Sequence, residues 1–266
     1  MAPELSVIIV NYNGLRYLQD CLESVQFATS GIRSEVIILD NNSTDESISF
    51  LKQNFPNVIV IESKINYGFG KGNNEAVKFA KGKFLLLLNH DTIVLDPLKG
   101  ALEFLVATPD VGVVGINMLD RDKNCIPAAG TFPNVRNMFL MKRLVINDFY
   151  SQDNVFSRDV YEVDWLTGAF LLLEKKLFCE INGFDEDFFM YVEDVDFCKR
   201  IADKGLKRIL LVNYRYIHFV GFNKSRNPML VKGYRIYINK HFNGIHKYIL
   251  LLTLRINATI KNLKSF

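Results

Sequence analysis

The chain has 266 residues, 49% of them hydrophobic and 23% charged, which suits one compact domain with a large core or a domain with an appendage. This excludes a disordered chain, a coiled coil and a collagen-like repeat. The net charge of +3 hides a division: residues 224–266 carry nine Lys and Arg and no acid, while residues 1–223 sum to −6.

In chain order, the apolar run 5–10 predicts a buried strand, and Leu15, Leu18, Leu22 and Val25 predict a helix over 15–27. A second strand follows at 36–39. Ser43 with Glu46 three residues on predicts a capping box that opens the next helix. Then come a strand at 58–61, a helix at 73–81 and a strand at 83–88. Asp96-Pro97 predicts a helix with Pro in its first position. A fifth strand is expected at 111–115.

After Asn117 the pattern loosens, and 134–150 reads as helical or irregular. A strand is expected at 165–173, a short helix at 175–181, a helix at 192–204 stopped by Gly205, and a strand at 206–212. The basic tail predicts two amphipathic helices. One has the stripe Leu230, Tyr234, Ile238 and Phe242, and the other Ile249, Leu252, Ile256, Ile260 and Leu263.

Alternating strands and helices imply a mostly parallel α/β sheet, in which ligands bind beyond the carboxyl ends of the strands. That rule selects Asn11-Tyr12-Asn13, Asp40-Asn41-Asn42 and Asn89-His90-Asp91. Cys21, Cys125, Cys179 and Cys198 show no CxxC pairing, which fits reduced thiols in a cytosolic protein. No signal peptide and no apolar run of about 20 residues is visible.

Candidate chemistry collects in five places. Asp91, at a strand end, suits a hard divalent cation, or equally caps a turn. Asp40 could accept from a base or ribose, or shape a polar turn. The glycines of Asn66-Tyr67-Gly68-Phe69-Gly70-Lys71-Gly72 could bring backbone amides and Lys71 to an anion, or form a flexible loop. The segment 184–196 interleaves acids with aromatics. Asp194 there suits a general base, or complements the dipole at a helix start, the reading that fits Asp196 with its salt-bridge partner Arg200 four residues on. His218 ends an alternating strand and becomes a ligand candidate only beside a second group such as Asp91.

In order, Ser6-Val7-Ile8-Ile9-Val10-Asn11-Tyr12-Asn13, Asp40-Asn41-Asn42-Ser43, the glycine loop, Asn89-His90-Asp91-Thr92, Leu166-Thr167-Gly168-Ala169-Phe170, Gly183-Phe184-Asp185-Glu186, Glu193-Asp194-Val195-Asp196 and His218 resemble family 2 glycosyltransferases. The branch most similar contains bacterial rhamnosyltransferases. The resemblance implies a glycosyltransferase A-type fold and inverting transfer of a sugar from a nucleotide-diphosphate donor. It places Val10, Tyr12, Asp40, Lys71, Asn89 and His90 on the nucleotide sugar. Asp91 and His218 would hold Mg²⁺ or Mn²⁺. Asp194, with Glu193 beside it, would be the base. Trp165, Thr167, Gly168, Phe189 and Tyr191 would line the sugar or acceptor pocket, with Phe188 as a further wall. The motif reads Asn-His-Asp here, so its first acid is missing.

A nucleotidyltransferase would want a basic Gly-rich loop after the first strand, where Asn11-Tyr12-Asn13-Gly14 stands. A nucleic-acid-binding protein would not be expected to carry an acidic body, so no nucleic-acid partner is expected. The expected organisation is a catalytic domain at 1–223 and a basic helical tail at 224–266. The tail would meet an anionic membrane at the inner face of the cell membrane, where a saccharide or lipid-linked acceptor would lie.

Overall fold

A computed structural model describes residues 2–139, 144–145, 156–219 and 226–263. In chain order the first half contains β1 (Leu5–Asn11), α1 (Leu15–Ala28), β2 (Ser34–Asp40), α2 (Ser47–Asn54), β3 (Ile59–Glu62), α3 (Phe69–Val77), β4 (Phe84–Asn89), β5 (Thr92–Val94), α4 (Lys99–Ala107) and β6 (Val111–Leu119). The second half contains β7 (Cys125–Ile126), β8 (Ala129–Gly130), α5 (Val135–Met138), β9 (Val160–Glu162), β10 (Trp165–Leu166), β11 (Phe170–Glu174), α6 (Lys175–Glu180), α7 (Glu193–Asp203), β12 (Lys207–His218), α8 (Arg226–His241) and α9 (Gly244–Leu263).

The central sheet runs β3-β2-β1-β4-β11-β6-β12-β5, with β7 beside β6 and β9 beside β12. β1 to β4 form the expected parallel half, and β6 pairs parallel with β12. β11 enters antiparallel between β4 and β6. Leu-rich β4 and β11 are buried on both faces, as inner strands of a covered sheet must be. A smaller buried cluster joins Phe188, Val192 and Val195 to Tyr234, Tyr237 and Ile238 of α8 and Leu250 and Leu254 of α9. The two tail helices are thus packed on the body.

Several local expectations are corrected. Ser43 does not cap α2: its hydroxyl accepts the Asn13 amide at 2.9 Å, and Asp45 Oδ1 receives the Ser47 amide at 3.1 Å. α3 begins at Phe69, inside the glycine loop, and α4 begins at Lys99, beyond Pro97. The strand expected at 165–173 breaks into β10 and β11, because the Thr167 amide turns aside to Ala128 O (2.9 Å). β6 and β12 run on to Leu119 and His218. Of 134–150, Asn134 caps the single turn α5, while 140–143 and 146–150 lie outside the described residues.

Candidate active site

Parallel pairing sets Asn11 beside Asp40 and Val10 beside Asn89, so three strand ends share one edge. There Asp40 Oδ1 accepts from Asn11 Nδ2 (2.8 Å) and Oδ2 from the Ser43 amide (2.9 Å). Asp40 is fully buried, so in this structure it braces the 40–43 turn and presents no open oxygen to a base or ribose. Tyr12, beside it in sequence, is 47% exposed and offers a ring for stacking.

The glycine loop is ordered by Asn41. Its Oδ1 accepts the Tyr67 amide (2.8 Å), and its Nδ2 donates to Asn66 Oδ1 and Gly68 O (both 3.0 Å). Each glycine answers to a neighbour. Gly68 sits at φ +77°, and a Cβ there would lie 2.1 Å from Phe189 O. A Cβ on Gly70 would meet Phe184, and one on Gly72 would meet Val10 at 3.0 Å. The glycines therefore serve close packing of α3 on β1 and on the 184–189 segment. Lys71 Nζ lies 2.8 Å from Glu186 Oε2, which raises its pKa, so its charge is directed to that carboxylate.

His90 Nδ1 is 3.2 Å from Val10 O, and its ring covers Gly14. Next to it, β12 pairs antiparallel with β5 and carries His218 to Asp91: Nε2 to Oδ1 is 3.2 Å. Asn89 Nδ2 also lies 3.2 Å from that Nε2. Burial pushes the Asp91 pKa up, but the contacts from His218 and the charge of His90 hold it below the ordinary carboxylate value. A cation between the imidazole nitrogen and the carboxylate oxygen would accept lone pairs from both. That donor set fits a divalent ion which keeps positions open for phosphate oxygens and water. Among the described residues, no third His, Cys, Asp or Glu joins them.

The second carboxylate group opens α7. Asp194 Oδ2 accepts the Gly168 amide at 3.0 Å, and Oδ1 the Val195 amide at 2.9 Å. Burial nevertheless raises the Asp194 pKa. Glu193 is buried, with Oε2 unpartnered, and its backbone-side carbons pack towards Gly70. Burial, then the charge of Asp194, pushes Glu193 well above the ordinary value. The Gly168 and Val195 amides favour the ionised form of Asp194, while burial and the Asp194 charge favour the protonated form of Glu193.

The turn before them is strained. Tyr191 and Val192 lie at φ +69° and +75°, a conformation unfavourable for a β-branched residue. Gly233 of α8 holds it: a Cβ there would stand 2.6 Å from Tyr191 O and 2.8 Å from Val192 Cγ2. Asp196 binds Arg200 (2.8 Å), as expected, and also His241 Nε2 of α8 (2.7 Å), which spacing along the chain could not reveal.

Of the expected pocket walls, Phe189 is 46% exposed and Tyr191 half-buried. Thr167 is half-buried beside Gly168, whose own Cβ position is filled by the Phe69 ring. Trp165 is half-buried, and its indole donates to Thr131 O (3.0 Å), which fixes the ring over Gly130. Phe188 is core and lines no open surface.

Residues 6–165 match the family described as Glycosyl transferase family 2, and residues 157–226 match the N-terminal domain of galactosyltransferase. The N-acetylglucosaminyl-diphospho-decaprenol L-rhamnosyltransferase of Mycobacterium tuberculosis is 26% identical over 248 residues, 86% of this chain and 80% of its own. Rhamnosyltransferase WbbL of Escherichia coli is 25% identical over 246 residues, 89% of this chain and 90% of its own. Among solved structures, GalNAc-T7 with UDP, GalNAc and Mn²⁺ superposes with a TM-score of 0.68 at 17% identity over 88% of this chain, which spans 48% of that longer one. S. aureus TarS 1-349 in complex with UDP gives 0.57 at 19% identity, over 93% of this chain and 69% of its own. The fold is the glycosyltransferase A-type.

Proposed function

The chain belongs to glycosyl transferase family 2, and on that premise we propose that it transfers a rhamnose-like sugar, with inversion, from a nucleotide-diphosphate sugar to a hydroxyl of a saccharide or lipid-linked saccharide in bacterial surface polysaccharide synthesis. The observation that carries the mechanism is the Asp194 carboxylate at the start of α7, aimed by the Gly168 amide (3.0 Å). Relatives named as rhamnosyltransferases support the sugar class.

In this reading Asp194 takes the proton of the acceptor hydroxyl as its oxygen bonds to the anomeric carbon. The bond from that carbon to the diphosphate oxygen breaks on the opposite face, so configuration inverts. A diphosphate needs no proton to leave, and one base is enough. Asp91 and His218 would hold Mg²⁺ or Mn²⁺, which supplies charge compensation for the departing nucleotide diphosphate. The Asn89 amide, which reaches the same His218 nitrogen, would give way to the cation, and His90 joins Val10 beside Tyr12, which would stack on the base. Thr167, Gly168, Phe189, Tyr191 and Trp165 would frame the sugar and acceptor.

The division of labour proposed is catalysis by residues 1–223, with 224–266 holding the enzyme at the cytoplasmic face of a membrane that presents the acceptor. Incubation of the full chain with a panel of nucleotide sugars, nucleotide-diphosphate rhamnose included, tests the reading. Metal-dependent release of nucleoside diphosphate from the rhamnose donor supports it. Release from other donors alone overturns the sugar, and no release from any donor in the presence of lipid-linked saccharides overturns the activity.

A further inference from the structure

The tail helix α9 is apolar on two opposite sides. One side is accounted for: Leu250 and Leu254 are buried against the body, Thr253 is buried with them, and Asn257 Nδ2 donates to Met138 O at 2.5 Å. The other side is not. Ile245 is 68% exposed, Tyr248 69%, Ile249 37%, Leu252 60% and Ile256 43%. At 100° per residue these five positions fall within about 100° of arc and form a stripe about 17 Å long. The periodicity expected from sequence thus marks the outward face, while a different set of residues anchors the helix.

A contiguous apolar stripe in water marks an interaction surface. The charge around it names the occupant. The segment 224–266 holds nine Lys and Arg and no acid. Of its described Lys and Arg side chains, Lys240 alone is paired with acids, Asp185 and Asp187, and His241 meets Asp196 on the body. Lys232, Arg235 and Arg255 are exposed, and Arg255 flanks the stripe. A second copy placed on the stripe would bring like charge against like charge. A nucleic acid would satisfy the cations and leave five apolar side chains in water. An anionic bilayer accepts both, with the stripe among acyl chains and the cations at the phosphates.

We propose that α9 docks on an anionic lipid surface through Ile245, Tyr248, Ile249, Leu252 and Ile256, lying in the plane of the interface while its inner face keeps hold of the catalytic body. No helix among the described residues is long and apolar enough to cross a membrane, and this mode needs none. The proposal rests on the reading of a membrane-presented acceptor, but it requires no donor or turnover to be measured.

The test is sedimentation of the full chain with vesicles of phosphatidylglycerol and phosphatidylcholine, and with phosphatidylcholine alone. Binding is expected on the anionic vesicles, weakening as salt rises. Leu252→Asp removes one large apolar contact and should weaken binding about tenfold or more. Its side chain is exposed, so the fold should survive, as an unchanged circular dichroism spectrum and melting curve would show. Arg255→Gln should weaken binding less, and should flatten the salt dependence. Equal pelleting of the parent and Leu252→Asp overturns the proposal. So does failure of the parent to pellet with anionic vesicles, and so does a concentration-dependent dimer that Leu252→Asp abolishes, which would assign the stripe to a second copy. Loss of vesicle binding in a variant that still releases nucleoside diphosphate in solution separates this surface from the transfer reaction.

Discussion

The Gly168 amide donates to Asp194 Oδ2 at 3.0 Å, and the next residue, Ala169, accepts the Asn89 amide on its carbonyl at 3.1 Å. Two consecutive residues thus tie the carboxylate of α7 to the end of β4, where Asn89-His90-Asp91 begins. One backbone bond and one side-chain bond set the base candidate against the strand that leads to the cation-binding candidate. Such placement is what an in-line displacement needs.

Asp194→Asn should keep donor affinity and lose about 10²–10⁴-fold in kcat, because the lost group acts only as the acceptor hydroxyl is deprotonated. Glu193→Gln, which resembles the protonated form that burial favours, should stay within about tenfold of the parent. Steady-state transfer rates with calorimetric donor titration separate the two. A Glu193→Gln enzyme as dead as Asp194→Asn would move the role to Glu193.

The pH dependence has a definite sign. Asp194 must be ionised to act, and burial raises its pKa above the ordinary 3.8. The acid limb of kcat/KM should therefore fall at a higher pH than for an open carboxylate. For Glu193, the folded state binds its proton more tightly than the unfolded chain. Stability present below the ordinary 4.5 is lost as pH rises towards the folded value. Glu193→Gln should melt at the same temperature as the parent in acid and above it at neutral pH, a gap that paired thermal scans would measure.

Asn89 places its amide 3.2 Å from His218 Nε2. A cation on Nε2 would take the lone pair that this amide approaches, so the contact competes with the ion. Asn89→Ala should therefore leave the Mn²⁺ concentration for half-maximal activity unchanged or lower it, and Asp91→Ala should abolish the metal response. Titration of Mn²⁺ into chelator-treated enzyme gives both numbers.

Gly233→Ala would drive a methyl group to within 2.6 Å of Tyr191 O, an atom of the turn that delivers Asp194. Overpacking of this kind costs about 1–3 kcal/mol. A lower melting temperature is expected, with kcat falling more than donor KM rises.

Strands, strand-end clusters and the order of motifs were legible because they depend on neighbours in sequence. Alternation and apolar runs located β1, β2 and β4, and the parallel-sheet rule pointed to Asn11, Asp40 and Asn89 before any contact was known. What escaped the sequence depends on distant partners. The glycines of the 66–72 loop look like a phosphate cradle, yet the atoms that require them belong to Val10, Phe184 and Phe189. Val192 reads as an ordinary helix residue, yet its backbone is left-handed and lies tight against Gly233 of α8. The enclosure of Asp40 and the Glu186 partner of Lys71 were hidden for the same reason. So was the side of α9 that faces out, since both of its sides are apolar.

β11 lies at the middle of the sheet although it comes late in the chain, and it separates β4 from β6, both made earlier. During synthesis the parallel half can assemble with the edge of β4 still open, and the edge of β6 stays open as well. Each is a row of unpaired amides and carbonyls flanked by leucines and valines, the kind of edge that pairs with other chains. A fragment cut at residue 165, where the family 2 match stops, would keep both edges and lack the strand that closes them. It should aggregate more than a fragment reaching past Glu174, in which β11 closes the edge of β4, while the other side of β6 stays open until β12 is made.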